Sequence, residues 1–517
     1  MDLRESDGPV PNVLLILVDD LGYSDIEPYG SEIPTPRLSA LAQQGTVFTN
    51  VHSGMKCNPT RAMLLTGLDN NIAAAGPRKT YHLSPDVPTL PERLQELGYH
   101  TIMAGKWDLG SAPAQEPGAR GFNDSVALLP GVSTHFPNAF GNDVLPDGSN
   151  AGYRRNGQPM RIPQDFYSTS FYTRELLSAI SMRPQEKPFF AYLALTAPHY
   201  PLQAPASDIQ RFDGWYADGY QATRSARLAR QRELGIFKSG TKPWEALQLP
   251  PWESLPAERR AYEAKRMQIY AAMVSLMDGA VGEILDYLDE NQLASNTLVI
   301  FASDNGPDGT QRGAGYSDEY NNATANLGNA DSFVTQGFAW AQVSATPWRL
   351  VKSYPTEGGT RVPFIARLPG MVPQGRHSNE FLRLMDLTPT LLAIGGSKGA
   401  FTIERQTKLD PTLLGRDART TLTGKISPYG SDDTLIHTYV EKRLGGASVQ
   451  KGQWKAVWWK EKQQYREPML FRLSEDPAET QDLAKENPAQ LELLLTHWRS
   501  YQKVLGNSIA EAQPKVQ

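Results

Sequence analysis

The sequence contains one cysteine, Cys57, which excludes an internal disulfide and leaves the fold to be held by packing alone. That suits a reducing compartment. It also contains no apolar run near the roughly 18 residues that cross a bilayer, so no membrane span is expected. Positive charge is not in excess: 51 lysines and arginines face 56 aspartates and glutamates, a formal net charge of -5. A chain of that balance has no general attraction for nucleic acid or an anionic membrane, and neither is expected as a partner. Met1 to Pro11 lack a basic start followed by an apolar stretch, so the expected location is cytoplasmic. A periplasmic or secreted location stays open for a chain whose leader was removed. Internal repeats and low-complexity tracts are absent as well.

What is present is a globular composition, 40% apolar and 21% charged over 517 residues, long enough for a large domain and a smaller one. Val13 to Val18 is a continuous run of β-formers that stops at Asp19-Asp20, and Thr297 to Ala302 stops in the same manner at Ser303-Asp304-Asn305-Gly306. Such runs read as strands buried on both faces, as in a parallel sheet covered by helices. Phe189 to Leu195, ending at Thr196-Ala-Pro-His199, is a third. Helical patterns lie between them, as in Arg259 to Glu290, where Tyr270, Met273, Val274, Met277, Val281 and Ile284 recur at helical spacing. Alternation of the two predicts an α/β fold over residues 1–395, with a large, mostly parallel central sheet flanked by helices.

Residues 396–517 are predicted to form a smaller α+β domain containing an antiparallel sheet. A Gly-, Ser- and Thr-rich stretch from about 396 to Tyr429 reads as connecting loops. Trp454 to Trp459 and Met469 to Leu473 are strand-like runs consistent with a hairpin, and a last amphipathic helix covers about 488–505. The Gly-, Asn- and Asp-rich segments 137–161 and 307–346 are expected to be long loops over the site. Tyr153, His135, Phe136 and Trp340, in or beside those segments, are candidates for recognising a substrate.

Ligands of open α/β sheets bind beyond the carboxyl ends of the strands, so Asp19, Asp20, Asp304 and Asn305 are expected to face one site. Three carboxylates and an amide oxygen form a hard, all-oxygen set suited to calcium or magnesium rather than zinc. The densest chemical signal is Cys57-Asn-Pro59-Thr-Arg61, followed by Leu64-Leu-Thr66-Gly67. With 39 prolines and 51 lysines plus arginines in 517 residues, a lone cysteine meets both spacings by accident in roughly 1 case in 130 at most. Standing alone it would still compete with an ordinary packing cysteine.

This segment resembles the C-x-P-x-R signature of the formylglycine-dependent (type I) sulfatases. Asp19-Asp20, Gly105-Lys106-Trp-Asp108-Leu-Gly110, Ala197-Pro-His199, Ser303 to Gly306, and Lys352 ahead of Glu357-Gly-Gly-Thr-Arg-Val-Pro363 resemble motifs of the same family in its order. The resemblance runs on to Asp476-Pro-x-Glu479-x-x-x-Leu483 and so covers almost the whole chain. It is nearest to bacterial arylsulfatases, within the alkaline phosphatase superfamily, and implies that superfamily's fold.

The resemblance further implies that Asp19, Asp20, Asp304 and Asn305 hold Ca2+, with Mg2+ as the other candidate. A separate formylglycine-generating enzyme would oxidise Cys57, and the hydrated aldehyde would attack the sulfur of a small aryl or alkyl sulfate ester. Arg61 would steady that hydrate, Lys106 and Lys352 would hold sulfate oxygens, and His199 would be the leaving-group acid or a sulfate donor. One position departs from the pattern: Asp108 stands where the family commonly has histidine. If the segment is extended, Asp108 shares a face with Lys106 and could take over the histidine's proton-accepting role. Two other functions are open to the same motifs, a phosphodiester or phosphonate monoester hydrolase of the superfamily and an inactive sulfatase-fold binding protein. The natural ester follows from no motif.

Overall fold

The computed structural model describes residues 10–75, 82–137, 150–246, 249–311, 320–397, 411–440, 445–461 and 464–505. Parts of the three expected loop regions, residues 138–149, 312–319 and 398–410, lie outside the described residues. The main sheet has eleven strands: β1 (Asn12–Val18), β2 (Thr46–His52), β3 (His100–Lys106), β4 (Asp124–Leu128), β5 (Asn150–Arg155), β6 (Gln158–Met160), β7 (Phe189–Ala194), β8 (Thr297–Ser303), β9 (Arg361–Arg367), β10 (Arg376–Ser378) and β11 (Leu382–Arg383). Their order is β10-β2-β9-β8-β1-β7-β3-β4-β5-β6, with β11 also on β2. The centre, from β8 through β1, β7 and β3 to β4, is parallel, whereas β9 runs antiparallel to both its neighbours.

Burial on both faces explains the unbroken apolar runs. Leu14, Ile16 and Val18 of β1 pack on one side, with Leu38 of α1 (Pro36–Gln44), Phe171 of α3 (Ser168–Met182) and Met273 of α4 (Ala257–Glu290). Val13, Leu15 and Leu17 pack on the other side, with Leu64 and Leu65 of α2 (Cys57–Thr66). From Val13 to Val18 no position of the strand is left for a polar residue. Each such aliphatic side chain contributes about 1.5–3 kcal/mol by leaving water. No helix among the described residues is long and apolar enough to cross a membrane.

A separate antiparallel sheet follows, built of β12 (Thr434–Val440), β13 (Gly445–Lys451), β14 (Trp454–Glu461), β15 (Gln464–Tyr465) and β16 (Met469–Arg472). Helix α5 (Pro488–Val504) covers it, with Trp498 packed edge-on against Trp458 at 5.2 Å between ring centres.

Two loop expectations are corrected by the described residues. In the first segment, β5 and β6 form a hairpin through Asn156 and Gly157, whose φ of 50° and 81° are both left-handed. Asn-Gly is the preferred pair for such a turn. In the second, Gly337–Ser344 is helical. Tyr153 and Trp340 accordingly belong to the core rather than to a recognition surface. Both are 0% exposed; the Tyr153 hydroxyl lies 2.9 Å from that of Tyr172, and the Trp340 indole N–H donates to the Glu263 carbonyl at 3.0 Å.

Candidate active site

The carboxyl ends of β1, β3, β7 and β8 meet at one edge of the sheet. Val18 is in register with Ser303, so Asp19 and Asp304 follow at adjacent strand ends. The Asp304 N–H donates to the Val18 carbonyl at 3.0 Å, and the Asp19 N–H to the Ala197 carbonyl at 3.2 Å. Lys106 is the last residue of β3. The strand reaches that point close against β7 because position 105 is glycine: a Cβ there would sit 1.9 Å from the Ala194 carbonyl oxygen, and φ is 119°. Cys57 opens α2, and Arg61 lies one turn further on, fully buried. His199 follows β7. Lys352 enters from the loop before β9, its N–H donating to the Pro307 carbonyl and that of Ser353 to the Met55 carbonyl, at 3.1 and 2.9 Å.

Three buried carboxylates, the buried Arg61 and Lys106, and the part-buried Lys352 gather around the thiol. Asp19 Oδ2 accepts from Lys106 Nζ at 2.6 Å, and Asp20 Oδ1 accepts from Lys352 Nζ and Asn305 Nδ2, each at 2.6 Å. Asp304 Oδ2 accepts from Arg61 Nε and Nη2 at 3.1 and 2.9 Å. Cys57 Sγ lies 3.3 Å from Asp19 Oδ1, 4.0 Å from Asp20 Oδ1 and 3.3 Å from Lys352 Nζ.

Burial sets the protonation of this cluster against its ion pairs. Burial alone would raise Asp19, yet Lys106, with His199, Arg61 and Lys352, holds it far below the ordinary carboxylate range. Asp20 is pushed up to about 7 by burial and by Asp19 and Asp308, against the pull of Lys352. Burial, aided by Asp19 and Asp304, raises the Cys57 thiol well above its ordinary value. It is therefore a protonated thiol at neutral pH and a poor nucleophile as it stands. His199 is lowered to about 4, chiefly by burial, against the opposing charge of Asp19. Its Nδ1 sits 2.6 Å from the Tyr200 carbonyl oxygen, so the neutral ring carries its proton there and leaves Nε2 as an acceptor.

The donor set fits a hard cation. Asp20 Oδ2 and Asn305 Oδ1 are buried and have no hydrogen-bond partner among the described residues, whereas buried polar atoms are normally paired. His199 Nε2 is 3.5 Å from Asp20 Oδ2, too far for a good bond. Ligand atoms of Asp19, Asp20, Cys57 and His199 all lie within 4.8 Å of one another. Oxygen atoms left over inside a cluster of carboxylates suit calcium or magnesium.

All ten residues assigned from the sequence to catalysis or metal binding lie in or beside this cluster, although two are arranged differently from expectation. Arg61 spends its nitrogens on Asp304, on the Lys106 carbonyl at 3.1 Å and on the Tyr192 hydroxyl at 3.4 Å, rather than on Cys57. Asp108 does not continue the strand: β3 ends at Lys106, and Asp108 turns with φ 57° and donates its N–H to the Leu129 carbonyl at 3.2 Å. Its Oδ2 still comes within 3.6 Å of Lys106 Nζ, and its side chain is 21% exposed. His135 lies behind the site, with Nε2 at 3.0 Å from the His199 carbonyl oxygen and Nδ1 at 2.6 Å from Ser168 Oγ. Phe136 packs on Tyr167. The sequence reading missed Asp308, 3.8 Å from Lys352 Nζ. Its signal was its position, four residues after Asp304 in the same turn.

The family model described as "Sulfatase" matches residues 11–397. An uncharacterized sulfatase of Schizosaccharomyces pombe is 35% identical, covering 97% of this chain and 95% of that protein. The arylsulfatase of Klebsiella aerogenes is 39% identical over 75% of this chain and 87% of its own. Among solved structures, Ps i-CgsB in complex with k-i-k-neocarrahexaose superimposes with a TM-score of 0.70 at 25% identity, over 98% of this chain and 95% of that one. The phosphonate monoester hydrolase of Agrobacterium radiobacter shares the fold, with a TM-score of 0.59 at 19% identity over 96% of each chain. An α/β scaffold with acids and lysines gathered around the thiol, matched over 75% to 97% of its length by the two sulfatase relatives, places the chain in the sulfatase family, a sulfuric ester hydrolase of the alkaline phosphatase superfamily.

Proposed function

We propose that the chain hydrolyses small aryl or alkyl sulfate monoesters with a formylglycine nucleophile derived from Cys57 and a divalent cation, calcium or else magnesium. The observation that carries this reading is the placement of Cys57 Sγ between Asp19 Oδ1 and Lys352 Nζ, each 3.3 Å away, in a site where the thiol itself stays protonated. A buried protonated thiol has little chemistry of its own, so oxidation by a formylglycine-generating enzyme gives the position a purpose. Asp19, Asp20, Asp304 and Asn305 would hold the cation, which would neutralise sulfate oxygens and acidify a bound hydroxyl.

The remaining tasks fall to the chain's own residues. Lys106 and Lys352 face the thiol's surroundings with buried positive charge and bind the nonbridging oxygens of the ester. Arg61 fixes the Asp304 carboxylate through a forked contact and thereby sets one wall of the cation site. His199, held by its Nδ1–H on the Tyr200 carbonyl, presents Nε2 to the leaving oxygen; because burial lowers its proton affinity, it acts as the leaving-group acid only after the negative charge of a bound ester has drawn a proton from solvent onto Nε2. Asp108, tied to Lys106, accepts the nucleophile's proton in place of the family's histidine.

Parallel assays of a sulfate monoester, a phosphate diester and a phosphonate monoester of one phenol test the substrate class. The sulfate ester should be turned over fastest by at least tenfold; a faster phosphorus ester would replace this reading by the phosphohydrolase one. Loss of all three activities in protein carrying both metal and formylglycine would point to an inert binding protein.

A further inference from the structure

The motif Asp476-Pro-x-Glu479 has no part in the chemistry above, yet Glu479 is 0% exposed and contacts the base of the Lys352 loop. That loop, Arg349 to Glu357, is closed on itself: Gly358 N–H and Thr356 Oγ1 both donate to the Arg349 carbonyl, at 2.8 and 2.7 Å. It is fastened from outside by the C-terminal region, through Lys455 of β14 and Glu479 in the turn after β16. The Glu357 N–H donates to Glu479 Oε2 at 3.0 Å, and Arg349 Nη1 donates to the Glu479 carbonyl at 2.7 Å, so Glu479 grips both feet of the loop. Lys455, buried in β14, lies 2.6 Å from Glu357 Oε1 and 2.9 Å from Glu479 Oε1 and bridges the two carboxylates.

The same footing reaches the acid cluster. Gly306 N–H donates to the Gly359 carbonyl at 3.1 Å, and a Cβ at Gly306 would lie 2.0 Å from the Gly358 carbonyl oxygen, so the turn after Asp304-Asn305 rests on the Glu357-Gly-Gly turn. Glu479 itself sits at φ 57°. A non-glycine residue keeps that conformation only where its surroundings enforce it. Here Asp476 does so, its Oδ2 accepting from the Thr480 and Gln481 N–H groups at 2.7 and 2.8 Å.

We infer that Lys455 and Glu479 are positioning residues for Lys352: the C-terminal sheet latches the Arg349–Glu357 loop so that the Lys352 ammonium stays beside Cys57 and Asp20. The inference deepens the proposed function and rests on the assignment of Lys352 to the sulfate oxygens. A positional effect has to travel through Lys352, which separates it from a merely structural one.

The test is a double-mutant cycle between Lys455→Met and Lys352→Ala in full-length, metal-loaded, converted protein, reading kcat/KM for an aryl sulfate and the inhibition constant of inorganic sulfate. Lys455→Met in the wild-type background should lower kcat/KM by tenfold or more and weaken sulfate inhibition by a similar factor. In the Lys352→Ala background the same substitution should change both by less than twofold. Equal losses in the two backgrounds, or wild-type kinetics in folded Lys455→Met, overturn the latch. Wild-type kinetics in Lys352→Ala would instead overturn the sulfate role of Lys352, and the latch with it. If Lys455→Met does not fold, Glu479→Gln carries the same cycle, because it keeps volume while weakening both the grip on the Glu357 N–H and the ion pair with Lys455.

Discussion

Removing Asp304 isolates a fully buried arginine, and the size of the consequence can be worked from its contacts. Arg61 is 0% exposed and gives two of its N–H groups to Asp304 Oδ2; without that carboxylate it keeps only the Lys106 carbonyl, the Tyr192 hydroxyl and Asp19 Oδ2 at 3.8 Å. Breaking a buried pair by deleting one partner costs about 3–5 kcal/mol, because the other charge stays in a poor solvent. At 1.4 kcal/mol per decade, Asp304→Ala should shift the folding equilibrium by roughly two to four powers of ten. Asp304→Asn retains an oxygen that can still accept from Arg61 and should lose about 1.5–3 kcal/mol. The double variant Arg61→Met/Asp304→Leu, apolar and of similar volume, should recover most of the loss. Urea unfolding in EDTA of the wild type, both Asp304 variants, the double variant and its component singles Arg61→Met and Asp304→Leu measures each stability without a contribution from bound metal. Additivity within about 0.5 kcal/mol would refute the claim that the two residues form one energetic unit. Calcium content, measured separately, should vanish in Asp304→Ala and persist in Arg61→Met.

Mass spectrometry of the tryptic Cys57 peptide should find formylglycine in proportion to specific activity; free thiol with full turnover would remove it from the mechanism. Asp108→Asn keeps size and removes basicity, so kcat should fall by tenfold or more on every sulfate ester tested, whereas a loss confined to one substrate class would assign Asp108 to recognition. Tyr153→Phe deletes the hydroxyl paired with Tyr172 and should cost about 1 kcal/mol of stability with kcat/KM unchanged, as befits a core residue. Changed substrate preference in that variant would return Tyr153 to the binding surface.

The parts of this molecule that were legible in sequence are those whose causes are local. β1 and β8 announced themselves because both faces are covered, and their terminal acids followed from the rule that parallel sheets place ligands at one edge. β5 and β6 look like loop in the sequence because strands at the margin of the sheet carry polar residues and bury little, although Asn156-Gly157 is the available signal for a hairpin. Tyr153 and Trp340 mislead for a related reason, since aromatics in a Gly- and Asn-rich context look exposed until packing partners such as Tyr172 and Glu263 are known. Arg61 pairs with an acid 243 residues away, and Lys455 with one 98 residues away. No spacing rule reaches across such distances, so the sequence pointed to which residues matter without indicating what each one touches.

The burial of Cys57 has a consequence for the order of events during synthesis. At 7% exposure, on the first turn of a helix whose next turn is fully buried, the thiol of the finished protein offers a modifying enzyme no extended segment to grasp. The site cannot close, however, until Asp304 has been made, 243 residues after Arg61. At a ribosomal pace of 5–20 residues per second that is roughly 10–50 s in which Cys57 has left the peptidyl-transferase centre while its enclosing partners do not yet exist. The proposed oxidation of Cys57 would thereby be timed against translation: slower elongation between positions 61 and 304 would lengthen the interval, and a host that folded the chain ahead of a converting enzyme would trap an unmodified thiol inside a well-formed site.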